Sequence, residues 1–280
     1  MDNFEKDYFA KLKQLATDYQ TRRRDLAKSR IKMFTAAVCR QIIDEKENFD
    51  LLISAGNSGL FMMAIAKMVY EQLKIDCPNT LTIPIYRFKN VDEKTVINDN
   101  ANLQKFVSEN INLTPKSEFN VLFVDDETMT GLTVKESLSL LLNALGSTES
   151  LRCTLISEHH FFEWHYHLPK VSINYFAYSR LIQGLNGNIG YFIPETLYNE
   201  ICSHVSDVVS YNHAMSIVIG GALKRKASNE IPFFDSSITE TLSQKIPNYK
   251  DQRQDLMREL KELVIQGIEE YKNKTITFRF

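Results

Sequence analysis

Several features of common protein classes are missing from this chain of 280 residues. It has no internal repeat and no low-complexity tract. No apolar run approaches the ~20 residues that cross a bilayer. Met1 to Glu5 lacks the basic and apolar regions of a secretion signal. These absences predict a globular protein of the cytoplasm that does not enter a membrane.

Cysteine and net charge are also low. The four cysteines, Cys39, Cys77, Cys153 and Cys202, show no CxxC pairing, which favours reduced thiols over a disulfide framework. A formal net charge of −2 predicts no general attraction to nucleic acid, although the basic run Arg22 to Arg24 leaves phosphate contact open. With 44% hydrophobic residues the chain can bury one large core or two smaller ones.

Glycine is scarce, and three of the ten glycines fall in two turns. The first turn follows the apolar run at residues 51 to 54 and contains Gly56 and Gly59 before a helical stretch. Glycine lets a backbone approach a ligand closely or take positive φ, and Ser58 suits a helix cap or an oxyanion contact. A turn that needs glycine only for packing is the other interpretation.

The second turn lies in the stretch VLFVDDETMTGLT, residues 121 to 133. Its unbroken apolar start predicts a central strand of a parallel sheet that is covered on both faces. Asp125 and Asp126 follow, then a loop rich in hydroxyl groups. Thr133 and Glu136 have the spacing of a capping box, which predicts a helix that runs to Gly146. A helix start favours an anion, and the carboxylates suit ribose hydroxyls or a metal; an ordinary turn is the alternative.

This stretch resembles the phosphoribosyl-pyrophosphate (PRPP) signature of type I phosphoribosyltransferases. The resemblance implies that Asp125 and Asp126 bind the ribose hydroxyls. It implies a loop that holds the 5′-phosphate, formed by Thr128, Met129, Thr130, Gly131, Leu132 and Thr133. Pyrophosphate would lie in the place taken here by Ala55, Gly56, Asn57, Ser58 and Gly59. Mg²⁺ would be held mainly by PRPP oxygens and water, with help from Asp125 or Asp126.

Three positions depart from the common form of the signature. Glu127 and Thr128 stand where the family usually has apolar residues. Met129 stands where members that act on 6-oxopurines carry an acid that handles the proton of the base, and a thioether cannot do so. A hypoxanthine or guanine transferase is therefore disfavoured.

Residues 81 to 88 predict another strand, followed by a polar segment from 89 to 106. In the family a mobile catalytic loop follows the second core strand and shields the reacting centre from water. Arg87 is the first candidate to meet pyrophosphate charge because the strand would hold it. Lys89 and Lys94 are further candidates, although basic residues of a polar loop are often only solvated.

Two later strands, CTLISEHH and VSINYFAYS, complete an alternating βα order from about residue 50 to 180. This order predicts an α/β fold with a doubly wound parallel sheet and ligand loops at the carboxyl ends of its strands. Glu158, His159 and His160 lie at the carboxyl end of the first of these strands. In the family the corresponding loop helps to form the base pocket. The nearby His165, His167 and Glu163 permit a metal site, although no known metal spacing is matched.

The two ends are expected to be additions to the core. We predict a helical segment at 1–46, a core at 47–182 and a mainly helical extension at 183–280. The last helix, from about Asp251 to Lys272, has an apolar stripe. Its members are Leu256, Leu260, Leu263, Val264, Gly267, Ile268 and Tyr271. We expect the extension to cover the base, to dock a protein partner or to form a homodimer.

The function expected from the resemblance is transfer of the phosphoribosyl group of PRPP to a nitrogenous base, with release of pyrophosphate and with Mg²⁺ as cofactor. Catalysis would rest on Asp125, Asp126 and Arg87, on positioning and on water exclusion. Two alternatives stay open. One is a module that senses PRPP or a nucleotide without turnover. The other is a partner-dependent effector subunit of a prokaryotic anti-phage, retron-like defence system that acts on nucleotides.

Overall fold

The computed structural model describes most of the chain. The described ranges are residues 3–85, 93–114, 116–128, 131–146, 150–159, 168–180, 189–205, 208, 210–224 and 233–276. Within them, the side chains of 3–20, 93–99, 159, 179–180, 222 and 224 are not described. The predictions for Arg87, Lys89, Met129, Thr130 and His160 therefore lie outside the described residues, as do those for His165, His167 and Glu163.

Helices and strands alternate through the middle of the chain. In order they are α1 Asn3–Ile43, β1 Leu51–Ala55, α2 Gly56–Leu73, β2 Asn79–Ile83, α3 Glu93–Asn110, β3 Glu118–Thr128, α4 Leu132–Leu145, β4 Ser150–His159 and β5 Val171–Arg180. The C-terminal part holds a short 3₁₀ helix Ile189–Phe192, α5 Glu195–His204, α6 Tyr211–Ile219, β6 Ala222–Lys224, β7 Phe233–Asp235, α7 Ser237–Lys245 and α8 Tyr249–Lys272.

The first five strands form one parallel sheet in the order β2-β1-β3-β4-β5. The chain moves from β1 outward to β2, returns to the far side of β1 at β3, and continues to β4 and β5. This order has a topological switch point between β1 and β3, which is where doubly wound sheets bind ligands. The predicted α/β fold with a doubly wound parallel sheet is confirmed.

Helices cover both faces of this sheet, and β3 shows why. Leu122 and Val124 point into a core formed with α1, α2, α6 and α8. Val121 and Phe123 point to the opposite core, which α3 and α4 close. Successive side chains of a strand alternate between faces, so an unbroken apolar run fits a strand that is buried on both sides.

The N-terminal helix and the C-terminal extension pack together on one face of the sheet. Ile31 and Phe34 of α1 share a core with Leu260 and Val264 of α8, and Leu52 of β1 joins the same core. Ion pairs join the helices at their edge, including Lys28 to Glu259 at 2.8 Å. Residues of all three predicted segments thus contribute to one core, while the segment boundaries stay a prediction.

The predicted apolar stripe of the last helix is confirmed for six of its seven members, since Leu256, Leu260, Leu263, Val264, Gly267 and Ile268 are buried. Tyr271 is partly buried against the same core. No helix in the described part of the chain is both long and apolar enough to span a membrane. All four cysteines are free thiols, and burial raises the pKa of Cys39 and Cys153 to about 12.

One predicted loop is wrong in the described part. The strand expected over 81–88 ends at Ile83, and the polar segment expected to be irregular is helical from Glu93 onward. Leu103 and Val107 are buried on the inner side of α3. Their spacing of four residues places both on one helix face, and this pair of anchors outweighs the polar composition around it.

Gly267 marks the closest approach between α8 and α1, and it yields a test of this packing. A Cβ at this position would lie 2.9 Å from Thr35 Cβ and 3.0 Å from the Lys32 carbonyl oxygen. Alanine normally stabilises a helix interior relative to glycine by ~1 kcal/mol. We expect Gly267→Ala to reverse this sign and to lower the free energy of unfolding by about 1–3 kcal/mol through overpacking.

Urea unfolding monitored by circular dichroism measures the effect. Gly220→Ala is the matched control, because a Cβ there would meet nothing within 4 Å. Equal stability of the two variants would contradict the close packing of α1 on α8.

Candidate functional site

A register shift in β3 places the acidic pair. Val124 lies opposite Ile156 of β4, and Glu127 lies opposite Glu158. Between these two pairs β3 therefore advances by three residues and β4 by two. The extra residue is a β-bulge, a feature that re-aims side chains and is common next to active sites. Asp125 and Asp126 occupy this bulge. They were predicted to lie in a loop after the strand, but they lie inside β3, which continues to Thr128.

A second bulge lies at the same level of the sheet. Ser157 of β4 lies opposite Ala177 and Glu158 lies opposite Ser179, so Tyr178 is the extra residue of β5. Its hydroxyl donates a hydrogen bond of 2.9 Å to the main-chain carbonyl oxygen of Asp126. Tyr178 is fully buried, and its ring packs edge-on against Phe34 of α1 at 5.4 Å between centroids. The two bulges are therefore fixed to each other and to the N-terminal helix.

The two carboxyl groups of the bulge differ in surroundings. Asp125 is buried and accepts a hydrogen bond of 3.0 Å from the main-chain N–H of Asp126. Asp126 is half-buried, and its carboxylate accepts hydrogen bonds from the Ser58 hydroxyl and the Asn212 amide. These hydrogen bonds favour the ionised form of the Asp126 carboxyl group.

Burial raises the pKa of Asp125 well above its usual range, and the charges of Asp126 and Glu127 raise it further. Burial also raises the pKa of Asp126, but hydrogen bonds from Asp125, Ser58 and Asn212 act in the opposite direction. Asp125 is therefore the member of the pair that keeps its proton more readily. Neighbouring acids 125 and 126 favour a ligand that brings positive charge or hydroxyl donors.

The predicted pyrophosphate loop begins directly at the end of β1. Ala55 is the last residue of β1, and Gly56 to Gly59 form the first turn of α2. Gly56 has a φ of +67°, which favours glycine, and a Cβ there would lie 3.3 Å from the carbonyl oxygen of Ile85, a tight contact. The alternative that Ser58 caps this helix is wrong, because the N-cap is Ala55 and no side chain caps it. The Ser58 hydroxyl turns to Asp126 instead.

The helix after the acidic pair also begins differently from the prediction. Gly131 is the N-cap of α4, with a φ of 66°, and α4 starts at Leu132. Thr133 lies one residue inside the helix, so the predicted capping box with Glu136 is wrong. A glycine at the N-cap supplies no side-chain oxygen to the first turn. Both helix starts at the switch point therefore lack a side-chain cap, which leaves their first turns suited to an anion.

Thr128 connects the acidic bulge to this helix start. It is the last residue of β3 and lies opposite His159 of β4. Its hydroxyl is buried and makes no hydrogen bond within the described residues. A buried hydroxyl without a partner is uncommon in folded proteins and suits a ligand oxygen at that place. The ligand role of Thr128 stays a prediction.

Glu158, a predicted base-pocket residue, makes an ion pair with the N-terminal helix. Its Oε1 lies 2.9 Å from Nη2 of Arg30, and each side chain is only 4% exposed. The base-pocket role of Glu158, His159 and His160 stays a prediction. Arg30 was missed from the sequence, since a single arginine inside a long helix carries no signal of which strand it will face.

The C-terminal extension supplies two further residues that the sequence did not reveal. The Asn212 amide of α6 donates to Oδ2 of Asp126. The main-chain N–H of Leu223 in β6 donates a hydrogen bond of 3.2 Å to Oδ1 of Asn57 in the first turn of α2. Both predicted ligand elements thus contact the extension. Neither residue belongs to a motif, because these contacts join parts of the chain that are far apart in sequence.

Two arginines of the basic run, Arg23 and Arg24, make contacts within the molecule, while Arg22 is exposed. The Arg23 guanidinium lies 3.6 Å from the centroid of the Tyr191 ring. Arg24 pairs with Glu259 of α8 and donates a hydrogen bond of 2.9 Å to the carbonyl oxygen of Phe192. These contacts fasten α1 to the start of the C-terminal extension.

Comparison with known proteins gives distant structural matches. No protein-family model matches, and no curated protein matches. An HPRT asparagine mutant, made to analyse an invariant aspartic acid, is 11% identical, with a TM-score of 0.32 over 57% of this chain and 77% of that chain. Hypoxanthine phosphoribosyltransferase of Trypanosoma cruzi matches with the same identity and TM-score, over 57% and 79%. Another structure of the T. cruzi enzyme has a TM-score of 0.31, 11% identity and coverage of 56% and 75%. Likeness this distant carries no argument about function.

The acidic pair fits Mg²⁺ only together with a substrate. Among the described residues no group of three or more His, Cys, Asp or Glu side chains could hold a metal ion. Mg²⁺ prefers six oxygen ligands and commonly takes one or two carboxylates plus substrate phosphates and water. Asp125 and Asp126 provide two adjacent carboxyl groups of that kind. The donor set is therefore consistent with a cation that arrives with a phosphorylated ligand.

The raised pKa of Asp125 predicts how stability depends on pH. Below the unfolded pKa of ~3.9 this carboxyl is protonated in both states and does not change the free energy of unfolding. As pH rises through the raised pKa of the folded state, the free energy of unfolding falls. Asp125→Asn removes this titration and keeps an oxygen for the Asp126 N–H. We expect the variant to be more stable than the parent at neutral pH and nearly equal to it at about pH 4.

Thermal unfolding of both proteins across this pH range, without ligand, measures the difference. Glu127→Gln is the control for the loss of one nearby charge. A difference between Asp125→Asn and the parent that does not change with pH would contradict the buried, raised carboxyl.

The Arg30–Glu158 pair predicts a strong cost for removing one partner. Arg30→Met leaves the Glu158 carboxylate buried without its cation, which typically costs about 3–5 kcal/mol. Arg30→Met combined with Glu158→Leu removes both charges, and we expect it to recover most of that loss. Urea unfolding of the parent, both single variants and the double variant gives the coupling free energy between Arg30 and Glu158. A single-variant cost below about 1 kcal/mol would show that the pair is not closed.

Proposed function

We propose that the protein binds PRPP with Mg²⁺ at the switch point of its sheet and transfers the phosphoribosyl group to a nitrogenous base. One observation carries the proposal. The bulge of β3 holds Asp125 and Asp126 between two uncapped helix starts, at the switch point where doubly wound sheets bind ligands.

Each part of PRPP has a matching element in this arrangement. The carboxyl groups of Asp125 and Asp126 suit the two ribose hydroxyls as hydrogen-bond acceptors. The start of α4 after Gly131 suits the 5′-phosphate, and the glycine-containing start of α2 suits the pyrophosphate. Adjacent strands β1 and β3 place these two starts on either side of the switch point. The ligand therefore extends from one helix start to the other, with its ribose over the bulge.

The proposed reaction replaces one bond at C1 of the ribose. The lone pair of a base nitrogen forms the new N–C1 bond while the C1–O bond breaks toward pyrophosphate, which leaves with the bonding electrons. The proton of the base nitrogen passes to solvent. Mg²⁺, when bound with the substrate, supplies positive charge for the leaving pyrophosphate.

The protein itself has to position the ligand, stabilise charge and exclude water. Asp126, held by Ser58, keeps one ribose hydroxyl in place, and the negative charge of the pair lies near the positive charge that develops on the sugar. The helix starts balance the phosphate charges. Arg87 stays the proposed cation for pyrophosphate. Glu158, His159 and His160 stay the proposed base pocket, and a cytoplasmic location is proposed with them.

Binding is tested by calorimetry with PRPP and Mg²⁺. We expect Asp126→Asn to weaken binding about 10- to 100-fold, because a hydrogen bond to a charged group contributes about 1.5–3 kcal/mol. Glu127→Gln is the matched control, since it removes one negative charge from the neighbouring position. No binding by the parent protein at millimolar PRPP, or equal loss in both variants, would sink the assignment.

Release of pyrophosphate across a panel of bases then tests turnover. We expect one class of base to release pyrophosphate with the parent protein and not with Asp125→Asn combined with Asp126→Asn. Binding of PRPP without release for every base would replace the transferase by the sensing module considered above.

A further inference from the structure

Asp126 contacts the C-terminal extension through a hydrogen bond from Asn212, which a ribose hydroxyl at Asp126 has to replace. Its carboxylate takes hydrogen bonds from Ser58 of α2, from Asp125, from the main-chain N–H of Glu127 and from Asn212 of α6. Ser58, Asp125 and Glu127 belong to the sheet and its helices. Among these four donors only Asn212 comes from the C-terminal extension. A ribose hydroxyl that binds Asp126 therefore competes first with the Asn212 amide.

We propose that Asn212 is an intramolecular latch on the ligand site, which a bound ribose displaces from Asp126. This inference rests on the proposed function and adds its regulation. The latch lowers affinity for the ligand in the resting protein. Its displacement passes the presence of ligand to the extension, so that the same contact reports whether the site is filled.

The position of Asn212 is fixed by close backbone packing. A Cβ added at Gly190 would lie 2.4 Å from Asn212 Oδ1 and 2.6 Å from its main-chain nitrogen. Only glycine permits this approach, so α6 starts directly against the 3₁₀ helix. The Tyr211 ring next to it stacks on Tyr198 at 3.9 Å between centroids and packs edge-on against Tyr191 at 4.6 Å. The amide is thereby aimed at the acidic bulge.

The amide of Asn212 is only partly satisfied. The side chain is 6% exposed, and its Oδ1 makes no hydrogen bond within the described residues. A buried amide with all of its hydrogen bonds made would resist displacement, because it would lose each of these bonds when it moves. With only the bond to Asp126 in the described structure, Asn212 suits a contact that is made and broken. The rest of α6, including Ala214, Met215, Ile217 and Val218, is fully buried and stays in the core.

A second contact ties the same part of the extension to the other ligand element. Leu223 of β6 holds Asn57 in the first turn of α2, the proposed pyrophosphate site. A hydrogen bond of 2.7 Å from the Ser216 hydroxyl to the Gly221 carbonyl oxygen joins α6 to the turn that leads into β6. One unit of the extension, residues 210–224, therefore contacts both ends of the proposed ligand. Occupancy of either end is transmitted to the same unit.

Calorimetry with PRPP and Mg²⁺ on the full chain tests the latch. We expect Asn212→Ala to bind about tenfold more tightly than the parent, which corresponds to ~1.4 kcal/mol. Asn212→Ser serves as a second variant with a smaller change in shape, and circular dichroism confirms that each variant is folded. Asn199→Ala is the matched control, because Asn199 is an exposed asparagine on α5 of the same extension.

Hydrogen exchange provides the readout that separates a latch from a purely structural residue. Peptides that cover residues 210–216 are expected to exchange faster in Asn212→Ala without ligand, and faster in the parent when PRPP is added. Equal or weaker PRPP binding by folded Asn212→Ala and Asn212→Ser would overturn the latch and leave the PRPP site standing. No PRPP binding by the parent or by any variant would overturn the site and the latch together.

Discussion

One extra residue in β3 determines where the two acidic side chains of the candidate site lie. The register shift between Val124 and Glu127 turns two successive carboxyl groups toward the switch point, where regular alternation would have sent them to opposite faces. A matching bulge at Tyr178 supports it through the hydrogen bond to the Asp126 carbonyl oxygen. β3 is a central strand, and β1 pairs with it only at residues 121–123, before the bulge, while β4 pairs with it on both sides of the bulge.

Groups from both ends of the chain meet around this bulge. Arg30 of the N-terminal helix neutralises Glu158 beside it, and Asn212 of the extension contacts Asp126. The helices that carry them pack on one face of the sheet and share its core. A change in the packing of either end of the chain is therefore expected to change the contacts of the acidic pair. This arrangement gives the extension a physical connection to the site in addition to any partner that it binds.

The predictions succeeded where local pattern decides structure. The buried run at 121–124, the last two strands of the sheet and the apolar stripe of α8 follow from the period of apolar residues. They failed where two local signals compete within one segment. Thr133 has the spacing of a cap, but Gly131 is the N-cap and α4 starts at Leu132, one residue before Thr133. The segment from Glu93 has a polar composition, but the two apolar anchors Leu103 and Val107 make it a helix.

The sequence by itself determined the parallel sheet, its buried central strand and the presence of two acids beside a glycine turn. These properties depend on residues that are close together along the chain. Only the tertiary structure decided that Asp125 and Asp126 lie on a bulge, that Arg30 faces Glu158 and that Asn212 reaches Asp126. Register and long-range contacts depend on how several elements pack at once, and no local spacing of residues records that outcome.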